Sequence, residues 1–365
     1  SVITPVVGTA NHSLAVAWTA KFQAATGTRV AVLPAPNGFA RANWINTGEG
    51  RIGMLQASDY FDQMDAIQGY ASEASGPHDT RVSNMNMVTP WGFVTRGDTK
   101  IKSFADVGPG TKIALAKSSS FLVVAVQALL AYRGLKPGDV NLVEVGSFGA
   151  NTAVLAEGRV DLAFTSPISG PSYQAEANPA GLRWLPLPAR EADSAAYDRY
   201  RALMPGYVGQ NTVSGVKSSL GIPMDHAFQC NHVRADDDPE FVYQLIKWLD
   251  ENHDSYKKDF THAHLMTVDN LVAFLDSGAL QPLHEGAIRY LKEKGRWKPA
   301  HQARQDKLVA LAKARIDVFK AAVADAKKAG VKVEPGNAEW LKRWAAAREA
   351  RGMGKSFGEA VLALG

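Results

Sequence analysis

The segment from Ser103 to Phe148 constrains the fold more than any other part of the chain, because it reads as a complete strand, crossover helix and strand. Lys112-Ile113-Ala114-Leu115-Ala116 is a short apolar run behind the turn Gly108-Pro109-Gly110, the pattern of a strand with both faces covered. Phe121 to Tyr132 is apolar nearly throughout and stops at Gly134, as a helix with a glycine C-cap does. Val140 to Val145 alternates and closes a right-handed crossover. The segment therefore predicts the α/β class. Its centre is Lys117-Ser118-Ser119-Ser120, where the strand ends and the helix begins. Free backbone N–H groups, hydroxyls and the positive helix end converge at such a place, which suits an anion. A serine there also serves as an ordinary N-cap, worth about 1 kcal/mol.

The same arrangement recurs. An opening strand, Ser1 to Val7, runs into Gly8-Thr9-Ala10-Asn11-His12-Ser13 and a helix from Leu14 to Thr26. A second strand, Arg29 to Leu33, leads through Pro34 to Phe39 into a short helix carrying Arg41, Asn43 and Trp44. A third, Ile52 to Leu55, stops at Gln56-Ala57-Ser58-Asp59, and later Asp161 to Phe164 ends in Thr165-Ser166-Pro167. Open parallel sheets bind ligands at the carboxyl ends of their strands. The candidate ligand contacts are therefore Thr9, Asn11, His12, Asn37, Gln56 and Ser58 from the first part of the chain, with Ser118, Ser119, Ser120, Thr165 and Ser166 from the second. Phe39, Trp91, Phe148 and Tyr207 are candidate apolar walls. Arg41 could clamp a carboxylate bidentately, against the plainer reading of a solvent-facing helix position. His12 could be a base or a ligand contact, against the plainer reading of a capping group. His262-Ala263-His264 has no carboxylate partner at a metal-site spacing, and neither metal nor cofactor is expected.

At 365 residues the chain is long enough for two α/β lobes, at roughly 100–200 residues per domain. Two extended runs, Asn84 to Thr95 and Ile222 to Val233, are candidate crossings between them. They divide the chain into a discontinuous lobe of residues 1–88 and 228–300, a second lobe of residues 89–227, and a helical extension, residues 301–365, packed on a lobe. Residues 286–365 hold 18 Lys or Arg against 8 Asp or Glu, so a basic tail follows an acidic body. That excess reads as a solvated face or as a patch for a partner, an anionic lipid head group or nucleic acid. No run approaches the ~18 apolar residues of a membrane span. The single cysteine, Cys230, excludes an internal disulfide and a thiolate metal cluster. The first residues lack a charged n-region, as in a leaderless chain or a mature one whose leader has been removed.

Gly8-Thr9-Ala10-Asn11-His12, Asn37-Gly38-Phe39, Ile101-Lys102-Ser103-Phe104-Ala105-Asp106 and, most specifically, the run from Pro282 to Gly295 (PLHEGAIRYLKEKG) together resemble the TAXI family of extracytoplasmic solute-binding proteins, which serve TRAP transporters. The resemblance covers about residues 3 to 300. It implies a type II, two-lobed periplasmic-binding-protein fold closing on one small carboxylate, such as an organic acid or an acidic amino acid. It also implies a periplasmic monomer that delivers this solute to a TRAP membrane permease and catalyses nothing, with no nucleic-acid partner. The family's Gly-Thr-Gly-Gly-Thr opening and Gly-Ser-Gly loop are replaced here by Gly8-Thr9-Ala10-Asn11-His12 and Ser118-Ser119-Ser120, which leaves the ligand open. The helical tail is longer than the family pattern. The rival reading is an enzyme on the same scaffold, but no Gly-x-Ser-x-Gly elbow is present and no arginine-lined cleft accompanies Cys230 as a cofactor anchor. A transcriptional effector-binding domain would want an appended helix-turn-helix, which the tail does not resemble.

Overall fold

Strands and helices largely alternate through the first 210 residues of the computed structural model, which describes residues 1–364. In chain order the first elements are β1 (Val2–Thr4), α1 (Ala10–Thr26), β2 (Val32–Pro34), α2 (Gly38–Thr47), β3 (Ile52–Gln56), α3 (Ala57–Asp65) and β4 (Thr80–Arg96). Then come β5 (Lys112–Leu115), α4 (Ser120–Arg133), β6 (Asn141–Glu144), α5 (Phe148–Ala156), β7 (Ala163–Thr165), α6 (Gly170–Glu176), β8 (Leu182–Trp184), α7 (Ser194–Leu203), β9 (Tyr207–Asn211) and β10 (Pro223–Arg234). Seven α-helices follow among the described residues: α8 (Pro239–Glu251), α9 (His253–Tyr256), α10 (Val268–Asp276), α11 (Glu285–Glu293), α12 (Pro299–Lys328), α13 (Ala338–Glu349) and α14 (Phe357–Leu362).

These elements form two units. One is Ser1–Met87 together with the chain from Phe228 onward; the other is Val88–Ala227. The chain passes from one to the other within β4 and within β10, the two longest strands. Pro90 does not interrupt β4, which continues through it, buried, to Arg96.

In the first unit β1 lies between β2 and β3, parallel to both, with Val2 opposite Val32 and Ile52. β10 adds to β3 antiparallel, and the register sets Gln229 opposite Gln56. Each parallel strand feeds a helix that returns over the sheet. α1 buries Leu14, Ala15, Ala17 and Trp18 and stops where Gly27 takes the left-handed conformation, φ 70°. Ile3, Ala35, Ile45 and Leu55 close the core beneath α2.

The tail packs on this unit through α3. Phe319, Trp340 and Trp344 lie with Val318, Ala322 and Val323 in one apolar cluster with Ala66, and the two indoles donate to Ala71 O at 2.9 Å and Asp65 O at 2.7 Å. The Asp65 carboxylate accepts from Arg315 Nη1 at 3.0 Å, Arg348 Nη1 at 3.1 Å and Phe357 N at 2.9 Å. At about 1.5–3 kcal/mol for each large apolar side chain fully buried, the three aromatics alone justify the extension's fixed place.

In the second unit β5 pairs parallel with β6, and Ile113 bridges in parallel to Leu162 at the entry to β7. β7 and β8 run antiparallel to β4, and β9 antiparallel to β10. Its core holds the α4 face Leu122, Ala125, Val126 and Leu129 together with Phe93, Phe104, Phe164 and Tyr200. Among the described residues no helix is long and apolar enough to cross a membrane.

Candidate functional site

Because β1, β2 and β3 are parallel, their carboxyl ends lie along one edge of the first unit, and α1, α2 and α3 all start there. Two of the expected contact residues are caps. Thr9 Oγ1 accepts from His12 N at 3.3 Å and Asn37 Oδ1 accepts from Ala40 N at 2.9 Å, each satisfying one orphan N–H of its helix. Gln56 stands at the cap position of α3 but makes no side-chain cap bond. His12 Nδ1 is 2.8 Å from Thr4 Oγ1, and burial holds its pKa below the ordinary value, so the ring is neutral at pH 7. Ser58 Oγ is buried without a hydrogen-bond partner among the described residues.

Asn37-Gly38-Phe39 has a steric basis that the sequence alone does not reveal. A Cβ on Gly38 would fall 2.2 Å from the Tyr70 hydroxyl and 2.3 Å from Asp59 Oδ1, and a Cβ on Gly69 would fall 2.4 Å from the Phe39 ring. Phe39 meets Tyr70 edge-on, ring centroids 6.0 Å apart. Arg41 is neither a clamp for a ligand nor a solvent-facing residue. It is 8% exposed and donates Nη2 to Asp59 at 2.9 Å and Nε to Met54 O at 2.8 Å. Asp59 also accepts from Tyr70 at 3.0 Å, so this arginine's charge is spent inside the unit, beneath the helix starts.

Sequence reasoning passed over Gln229. Its Oε1 accepts from Asn11 Nδ2 at 3.2 Å and its Nε2 donates to Gln56 Oε1 at 2.9 Å, so one buried amide ties two of the expected contacts together. The available signal was polar residues at alternate positions, Gln229 and Asn231, within the otherwise buried β10.

The second unit repeats the plan. β5, β6 and β7 end along one edge, followed by α4, α5 and α6. Ser118 is exposed, with Oγ 3.5 Å from Gly146 O. Ser119 is the α4 cap residue and makes no side-chain cap bond; Ser120, the first helical residue, is 8% exposed. Ser147 caps α5 through Ala150 N at 3.2 Å and positions Phe148. Thr165 lies inside the unit, its hydroxyl accepting from Thr152 Oγ1 at 2.9 Å. Ser166 is 3% exposed, and its Oγ has no partner among the described residues.

Trp91 and Phe148 come together at 5.8 Å between centroids, and Phe121, which sequence reasoning did not select, joins them at 4.8 Å from Trp91. Trp91 stacks on Phe164 and is 8% exposed, with Nε1 unpartnered among the described residues. Tyr207 is 6% exposed in the same apolar cluster, its carbonyl accepting from Arg201 Nη1 at 3.2 Å. Lys117, beside the serines, is paired with Glu144 at 2.5 Å, and both are exposed. No acidic residue occupies the first turn of α1, α2, α4 or α5. Each edge therefore carries positive helix ends and hydroxyls without a competing first-turn carboxylate in those helices. Among the described residues no group of three or more His, Cys, Asp or Glu side chains could hold a metal ion.

The solved structure of MatC from Rhodopseudomonas palustris with bound malate superposes with a TM-score of 0.50 at 12% identity, covering 82% of this chain and 97% of that one. XAC2383 from Xanthomonas citri bound to ATP gives 0.45 at 15% identity over 84% and 98%. The periplasmic aliphatic sulphonate binding protein SsuA from Escherichia coli gives 0.41 at 16% identity over 94% and 90%. No curated protein matches the chain in sequence. The fold is α/β, that of the two-lobed periplasmic binding proteins, with a helical C-terminal extension. The NMT1-like family model matches residues 10–295, which takes in both units and ends just before α12. Since that match spans well over half of its length, the chain belongs to the NMT1-like family.

Proposed function

We propose that the protein is an extracytoplasmic receptor of the TAXI type, which captures a small organic anion, a carboxylate such as an organic acid or acidic amino acid, and hands it to a TRAP-type permease without reacting with it. The observation that carries this reading is the pair of strand-end edges, where α1, α2, α4 and α5 begin with no acidic residue in the first turn. Ser58 and Ser166 add hydroxyls that nothing among the described residues engages. A carboxylate there accepts charge-assisted bonds, each contributing about 1.5–3 kcal/mol. Trp91, Phe121 and Phe148 supply an apolar surface for a carbon skeleton. The NMT1-like match and the fold favour a binding protein.

The test is a thermal-shift panel of mono- and dicarboxylates, keto acids, hydroxy acids including malate, aromatic acids and acidic amino acids. A ligand that binds only the folded state adds about 2.7 kcal/mol at 100 times its Kd, so a micromolar binder raises the unfolding temperature visibly. A shift confined to one class of acids supports the reading and names the solute. No shift for any acid of the panel would refute it. The permease assignment is tested by uptake into vesicles bearing a TRAP permease, which should require this receptor together with an ion gradient.

A further inference from the structure

Gln229 enters the first unit on β10, one residue after the chain crosses at Phe228, and is 6% exposed beside Gln56 at 4%. Both ends of its amide are held: Oε1 accepts from Asn11 Nδ2, and Nε2 donates to Gln56 Oε1. A carboxamide has one acceptor oxygen and one donor nitrogen, so three in series have a direction. Asn11 turns its nitrogen inward and leaves Oδ1 buried with no partner among the described residues. Gln56 turns its oxygen inward and leaves Nε2, which donates to nothing among the described residues. Reversing one amide alone would set two nitrogens or two oxygens face to face. Reversing all three exchanges the ends. In either direction the relay presents one acceptor and one donor, never two of either kind.

Resting on the receptor reading above, we propose that Gln229 is a positioning residue that sets the ligand's hydrogen-bond pattern, and that the ligand is an organic acid which also carries a donor, a hydroxyl or an ammonium. A plain mono- or dicarboxylate has only acceptors. It would meet the Gln56 amide nitrogen but leave Asn11 Oδ1 buried and unpaired, and a site built for a hydrogen bond discriminates strongly against an analogue that lacks it. The helix ends do not make this distinction, since they serve any anion.

The experiment titrates the whole protein calorimetrically with matched acids: malate against succinate, lactate against propionate, glutamate against glutarate. Wild type should prefer the donor-bearing member of the pair it binds by at least about tenfold. Gln229→Met removes the relay at similar volume and should bring that ratio below about threefold, a readout that a merely structural role does not move. Gln229→Glu accepts from both neighbours, turns both nitrogens inward and leaves two carbonyl oxygens toward the ligand; every acid should then bind at least about tenfold more weakly. Should either variant fail to fold, Asn11→Asp reverses Gln229 and Gln56 in turn and should weaken acid binding in the same way. An equal affinity for both members of a pair in wild type, or an unchanged ratio in Gln229→Met, overturns the proposal while leaving the receptor reading intact. Binding of none of the six acids by wild type, while a keto or aromatic acid without a donor binds, overturns the proposal alone, and no thermal shift for any acid of the wider panel overturns both.

Discussion

Acid should destabilise the fold, and His232 sets the scale of one part of the loss. The ring sits on β10 with no exposed surface, Nε2 2.9 Å from the Gln281 amide nitrogen and its centroid 5.8 Å from that of Tyr60. Burial holds its pKa down at about 3, against 6.5 for a free histidine. The fold keeps the neutral ring, whereas the unfolded chain takes up a proton below about pH 6.5. Stability from this group is therefore fully present above that value and lost progressively as pH falls toward 3. At pH 5 the unfolded chain is about 1.5 pH units past its midpoint and the folded one has not begun to titrate, a difference of about 2 kcal/mol. His78, His226, His262 and His284 are also pulled down by burial and act in the same direction. Comparing wild type with His232→Gln isolates this one group. In urea unfolding followed by tryptophan fluorescence, wild type should lose about 2 kcal/mol more than the variant between pH 7.5 and pH 5. Parallel losses in the two proteins would refute the argument.

Gly38→Ala should cost about 1–3 kcal/mol in thermal unfolding, because its Cβ meets Tyr70 and Asp59, and Asp59 is pinned by Arg41. An unchanged unfolding temperature would mean that this cluster yields freely. Ser166→Ala removes an unpartnered buried hydroxyl, so it should leave ligand-free stability within about 1 kcal/mol while weakening the bound acid about five- to tenfold. Equal affinity by calorimetry would take Ser166 out of the site. Asp225→Asn withdraws the counter-charge from Arg201, 2.7 Å away, and replaces one of two acceptor oxygens by an amide nitrogen, so it can no longer serve both Arg201 and the Tyr200 hydroxyl at a position 2% exposed; urea titration should show a loss of about 3–5 kcal/mol, and a loss below about 1 would mean the charge is solvated.

Local signals located the elements whose ends are chemically marked. Gly134 and Gly27 end their helices in the left-handed conformation, and the crossover between β5 and β6 follows from the apolar runs on either side of Ser118–Ser120. The second strand was displaced, expected at Arg29 to Leu33 and found at Val32–Pro34, because its register is set by β1 rather than by its own residues. Arg41 was misread for a similar reason. Its partner Asp59 lies on a different helix, 18 positions along the chain, and nothing between them announces the pairing. The link between Asn11 and Gln56 through Gln229 depends on an antiparallel register between strands more than 170 residues apart, which no local pattern encodes. Trp91, Phe121 and Phe148 likewise meet only because β4, α4 and α5 share one core.

The central claim, capture without chemistry, is tested most directly by following one ligand through its encounter with the protein. The acid that gives the largest thermal shift is titrated calorimetrically, and the same mixture is then watched by proton NMR for a day at fifty equivalents of ligand. The account predicts one equivalent bound per chain and all of the ligand recovered unchanged. Steady conversion of the ligand at a rate proportional to protein concentration would contradict it and make the protein an enzyme.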